Sequence, residues 1–245
     1  MLIQSEFVDL NTPTGIMRTY VHKPVTPKKT PAILFYSEIF QQTGPIERAA
    51  KIIAGHGFTV LVPEVFHELN PIGTVLAYDD AGRDKGNADK SAKDVEGYDT
   101  DNQAMIAWVK QQPWFSGHMG AMGFCIGGHL AFRAALQPEI EATACFYATD
   151  LHTNVIPNKP HQHSMDRLKE IKGELLMIWG KQDNHIPEAG RKTVYEKMLD
   201  AKLAFTWHEF NGQHAFMRDE GERYDPELAL LGYELALKIF QRKLT

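Results

Sequence analysis

Cys125 is the residue of this chain best placed for covalent chemistry. It sits in Gly123-Phe124-Cys125-Ile126-Gly127-Gly128, after an apolar run over 119–124 and before a helix-forming stretch over 129–136. A strand-to-helix turn sharp enough to lift a nucleophile above a sheet edge needs glycines on either side of it. A thiol attacks as the thiolate, and a nearby base or the positive end of the following helix favours that form. The other cysteine, Cys145, lies inside a strand-like segment over 142–148 and reads as a small buried core residue. No C-x-x-C accompanies Cys125, so a redox role has no local partner.

A cysteine nucleophile needs a base and an acid, which must come from other elements. Asp183 follows strand-like 174–179 in Trp179-Gly180-Lys181-Gln182-Asp183, and His214 follows strand-like 205–210 in Asn211-Gly212-Gln213-His214-Ala215-Phe216. Nucleophile, acid and base thus occur in the chain order of α/β-hydrolases, each just past its own strand. Activity is expected to rise as His214 loses its proton, near or somewhat above neutral pH.

The positioning elements follow from periodicity. Short β-rich segments over 7–10 and 17–22 predict an antiparallel ribbon. Strand-like 32–37, 58–62, 119–124, 142–148, 174–179 and 205–210 then alternate with helix-like 46–56, 94–111, 129–136, 188–201 and 226–242. This spacing predicts one α/β domain over 1–245, with a mostly parallel sheet covered by helices on both faces. Two segments break the rhythm: 63–93, rich in Asp, Gly and Asn, and 150–167, which holds His152, His161 and His163. Long connections at the carboxyl ends of parallel strands commonly build binding sites.

Together with Ser37-Glu38-Ile39-Phe40 after the first central strand, these motifs make the whole chain resemble the dienelactone hydrolase family of the α/β-hydrolase superfamily. The resemblance implies an α/β-hydrolase fold and a Cys125, Asp183 and His214 triad. It also implies that Glu38 helps deprotonate the resting cysteine and moves away when substrate arrives. Backbone N–H groups of Ile39 and Ile126 would form the oxyanion hole. Arg218, four residues past His214, matches a position that grips a substrate carboxylate, and Arg83 is a second candidate clamp. Pro63-Glu64-Val65-Phe66-His67 departs from the commoner Asp-Leu-Tyr after the proline, which bears on substrate identity more than on chemistry. The expected activity is cysteine-dependent hydrolysis of a small ester or lactone. Thioester or general carboxylic-ester hydrolysis is the neighbouring alternative, and a slow or non-catalytic ligand-binding protein is the alternative of a different class.

Composition narrows the partners. The chain has 245 residues, 43% hydrophobic and 23% charged, with a formal net charge of -5. No basic stripe interleaved with aromatics suits a phosphate backbone, so no nucleic-acid partner is expected. No apolar run approaches the roughly 20 residues needed to span a bilayer, and the N-terminal stretch lacks the pattern of a signal peptide, so a cytoplasmic location without a membrane partner is expected. No phosphate-binding or dinucleotide-binding glycine motif is present, so no cofactor is expected. The histidines of 150–167 lack zincin spacing and read as exposed loop residues, so no metal is expected. The simplest oligomeric expectation is a monomer.

Overall fold

The computed structural model describes residues 1–154, 156 and 163–245. Eight strands form one sheet: β1 (Ile3–Thr12), β2 (Gly15–Pro24), β3 (Thr30–Tyr36), β4 (Thr59–Pro63), β5 (Phe115–Phe124), β6 (Ile140–Phe146), β7 (Glu174–Gly180) and β8 (Phe205–Phe210). Their spatial order is β1-β2-β4-β3-β5-β6-β7-β8. The β1–β2 hairpin and the β2–β4 pair are antiparallel, and every pair from β4 to β8 is parallel. This is the mostly parallel sheet, entered through an antiparallel ribbon, that the alternation predicts. Every residue of β3 and β4 is buried, because strands covered on both faces must be apolar on both.

The helices are α1 (Gly44–Gly55), α2 (Asp80–Ala92), α3 (Val95–Lys110), α4 (Ile126–Ala134), α5 (Glu188–Asp200) and α6 (Pro226–Leu244). Helix α4 packs on β3, β5 and β6, while α6 packs on β5, β6 and β7. They take opposite faces: on β5, Gly120 lies under Leu244 of α6 and Gly123 under Gly127 of α4, three residues apart and so on alternate sides. Phe58 and Phe240, with centroids 5.9 Å apart, tie the base of β4 to α6. Helix α4 begins at Ile126, earlier than the sequence pattern indicates, so it starts directly after Cys125.

Helix α2 corrects the sequence reading, which treats 63–93 as a connection. Its only buried residues are Gly82, Gly86 and Asp89, so it carries no apolar stripe to betray it. Its start is fixed by Asp79, whose carboxylate accepts a 2.7 Å hydrogen bond from Gly82 N–H. Its end is fixed by charge. The Lys93 ammonium, fully buried, donates to Glu68 at 2.8 Å and to Asp101 of α3 at 2.7 Å, and lies 5.0 Å from the Tyr98 ring centroid. His67 Nε2 lies 3.1 Å from the other Asp101 oxygen. Removing the cation would leave two carboxylates in a dry site without their counter-charge. Lys93→Met is therefore expected to destabilise the fold by about 3–5 kcal/mol in urea unfolding; an unchanged midpoint would contradict this role.

Candidate active site

The β5–α4 turn holds Cys125 at φ 61°, ψ -123°, a backbone conformation that L-residues with side chains rarely adopt. Neighbouring strands brace it: Cys125 N–H donates to Phe146 O at 3.2 Å, and Cys125 O accepts from Gly128 N–H at 3.0 Å and Thr149 N–H at 3.3 Å. The flanking glycines permit the close approach this requires. A Cβ on Gly123 would sit 2.0 Å from Gly127 O, and one on Gly127 would sit 2.1 Å from Tyr36 O. The thiol is left half-exposed in a cleft of about 720 Å³ at the carboxyl ends of the parallel strands.

Asp183 and His214 arrive from the ends of β7 and β8. Both are buried, and His214 Nδ1 lies 2.7 Å from Asp183 Oδ2. The other Asp183 oxygen accepts from His185 N–H at 2.8 Å. Burial opposes the charge on Asp183, yet its bond to His214 and the His214 charge hold its carboxyl below the usual range. Burial likewise works against an imidazolium at His214, but the facing Cys125 sulfur and Asp183 overcome it and lift the pKa to about 10. Cys125, Asp183 and His214 thus converge as the chain order implies. The electrostatics differ from the expectation of a limb near neutrality: His214, raised to about 10, keeps its proton through that range.

Glu38 is 2% exposed at the end of β3, and burial pushes its carboxyl above the usual range against the opposing pull of Arg218 and His214. Its Oε2 lies 3.8 Å from Arg218 Nη1 and accepts from Tyr78 O–H at 3.5 Å. Among the described residues no hydrogen bond joins it to Cys125; it faces Arg218, whose guanidinium lies 4.3 Å from the Tyr78 ring centroid. Arg218 therefore lines the cleft already in contact with a protein carboxylate. Arg83, on α2, also lines the cleft, but is about half-exposed and bonds Asp80 at 2.7 Å and Asp84 at 3.0 Å.

Ile39 and Ile126 both border the cleft beside Cys125. Among the described loop, turn and cap hydrogen bonds neither backbone N–H has a partner; that of Ile126 is one of the free donors every helix start presents. Helix α2 backs this wall at very short range, since a Cβ on Gly86 would meet Ile39 O at 2.7 Å. The position of the Ile39 peptide and the placement of helix α2 are thereby coupled.

Several cleft residues escape the sequence reading: Tyr78, Lys90, Asp150, His185 and Arg223. The His185 ring lies 4.5 Å from that of His214 and is held below its ordinary pKa by burial and by the His214 charge. Its position two residues after Asp183 is the signal that could have marked it. Lys90 of α2 donates to Asp150 at 2.8 Å, joining the helix to the loop after β6. Of the three loop histidines, His161 lies outside the described residues. His152 and His163 are half-buried rather than exposed; His152 packs over Gly190. Among the described residues, no helix is long and apolar enough to cross a membrane.

Comparison with known proteins fits this geometry. The sequence model of the dienelactone hydrolase family matches residues 17–244. A Saccharomyces cerevisiae protein, provisionally named carboxymethylenebutenolidase, is 36% identical over 257 residues, spanning 100% of this chain and 93% of that protein. The chain belongs to the dienelactone hydrolase family. The carboxymethylenebutenolidase of Pseudomonas putida is 26% identical over 216 residues, with 86% of each chain covered. Among solved structures, a provisionally named dienelactone hydrolase from Klebsiella pneumoniae superposes with a TM-score of 0.84 over 99% of this chain and 100% of that one; at 20% identity the likeness speaks for the fold. Within this dienelactone hydrolase framework the sulfur–imidazole pair is testable without substrate. Because His214 is raised to about 10, it stays protonated at neutral pH and deprotonates only as pH rises through that value. Cys125→Ala removes the sulfur contribution, so heteronuclear NMR should show His214 releasing its proton at clearly lower pH; an unmoved titration would contradict the pairing.

Proposed function

We propose that this dienelactone hydrolase family member cleaves a small ester or lactone through a covalent thioester on Cys125. The single observation carrying the reading is the bonded His214–Asp183 pair, set against a thiol held in a strained elbow within one cleft. The Cys125 thiolate attacks the substrate carbonyl, and the tetrahedral oxyanion receives hydrogen bonds from the Ile39 and Ile126 N–H groups. Collapse breaks the C–O bond, and the leaving alkoxide takes the His214 proton.

Neutral His214, oriented by Asp183, then accepts a proton from water as the water oxygen attacks the thioester. Collapse of this second intermediate expels the Cys125 thiolate, restores the imidazolium and releases the carboxylic acid. With a lactone, alcohol and acyl halves leave as one molecule. Glu38, buried and facing Arg218, can change partners when a substrate carboxylate enters. A substrate anion would draw on Arg218 and leave Glu38 free to take up the Cys125 proton.

The test compares kcat/KM on a dienelactone and on p-nitrophenyl acetate for the wild type and Cys125→Ala. Both rates are expected to fall by about a thousandfold or more in the variant. Turnover of the aryl ester alone would keep the mechanism and move the substrate toward other esters or thioesters. Undiminished turnover in Cys125→Ala would overturn the nucleophile.

A further inference from the structure

His129 of α4 does not line the cleft; it is 3% exposed, with both ring nitrogens engaged. Its Nδ1 lies 2.9 Å from Thr149 O, and its Nε2 lies 2.9 Å from Ser164 Oγ in the 3-10 turn Ser164–Asp166. A carbonyl oxygen only accepts, so Nδ1 carries the proton and Nε2 accepts from the Ser164 hydroxyl. The Ser164 oxygen in turn accepts from Arg133 Nη1 at 3.3 Å, and Arg133 is held by Asp99 at 2.7 Å. Burial, with the Arg133 and Lys90 charges, holds the ring below its ordinary pKa against Asp150 and the Thr149 carbonyl, so it stays neutral in this one tautomer.

The Thr149 end of this chain of bonds leads back to the reacting sulfur. Thr149 N–H donates to Cys125 O at 3.3 Å, one of the bonds that hold the elbow at φ 61°. His129 stands one helical turn after Cys125, on the same face of α4. Cys125, the first turn of α4, His129 and Thr149 thus close a ring in which the helix grips the loop that braces its own start. The ring is tightly packed: a Cβ on Gly128 would lie 2.6 Å from Phe146 O and 3.1 Å from Ala148 Cα. Thr149 and Asp150 line the cleft, and Asp150 pairs with Lys90 of α2.

We propose that His129 is a positioning residue for the reaction: through the Thr149 backbone it fixes the strained Cys125 turn and the cleft wall formed by Thr149 and Asp150. The inference rests on Cys125 as the reacting group. The arm to Thr149 carries the effect, and the arm to Ser164 fixes the tautomer.

Two variants divide these arms. The Asn amide N–H reaches the place of Nδ1 and keeps the bond to Thr149 O, whereas the Gln amide reaches the place of Nε2 and keeps only Ser164. On p-nitrophenyl acetate, His129→Gln is expected to lower kcat about tenfold with KM within about twofold, and His129→Asn to retain kcat within about twofold. Each variant loses one buried hydrogen bond, so their urea midpoints should fall by similar amounts. A kcat unchanged in His129→Gln, or an equal fall in both variants, would overturn the proposal. The wild-type protein supplies a check that does not depend on the variants folding: heteronuclear NMR should show a neutral His129 ring protonated at Nδ1 at neutral pH. A ring protonated at Nε2, or an imidazolium, would also overturn it. Undiminished turnover in Cys125→Ala would instead overturn the nucleophile reading and leave the tautomer result standing.

Discussion

A half-exposed sulfur held on a left-handed backbone between a buried strand and a helix start is the constraint from which the rest of the site follows. Residues with side chains reach that conformation only when surrounding contacts over-determine it. Here Phe146 O, Gly128 N–H and Thr149 N–H do so, and the glycines at 123 and 127 let strand and helix close to the distance those bonds require. The same contacts set Ile126, the first residue of α4, on the cleft next to Cys125. Strands β3, β7 and β8 then need only end at the same sheet edge to bring Asp183 and His214 toward it and Glu38 onto the same cleft, which is what a parallel sheet with one strand order provides.

Charge, rather than packing, organises the cleft built on that turn. Buried Asp183 orients an imidazole that burial alone would leave neutral, and the sulfur opposite makes the charged form the stable one. Buried Glu38 is held between Arg218 and the Tyr78 hydroxyl. Helix α2 joins these elements: its Gly86 touches the Ile39 peptide and its Lys90 pairs with Asp150 after β6, while Lys93 at its end sinks into a separate acidic cluster. The walls around the thiol are thus tied together by ion pairs.

The scaffold and the meeting of Cys125, Asp183 and His214 in one cleft were legible in the sequence because each rests on a local signal. Apolar runs such as Ala32 to Tyr36 mark central strands, and a thiol flanked by glycines marks the elbow. Asp183 and His214 stand immediately past such runs. Helix α2 was hidden because it buries two glycines and an aspartate instead of an apolar stripe, so periodicity had nothing to report. The partner of Glu38 was hidden for another reason: it depends on where Arg218 and Tyr78, far apart in sequence, meet in space. Arg223 was hidden in the same way, since only the fold brings its segment onto the cleft.

The central claim is that Cys125 carries the acyl group between the two halves of the reaction. Rapid quenching of the protein with p-nitrophenyl acetate, followed by intact-mass and peptide analysis, tests it directly. The account predicts one acetyl group on the Cys125 peptide, accumulating further when His214 is replaced and deacylation slows. An acetyl group on any other residue, or hydrolysis with no covalent species at any time, would contradict it.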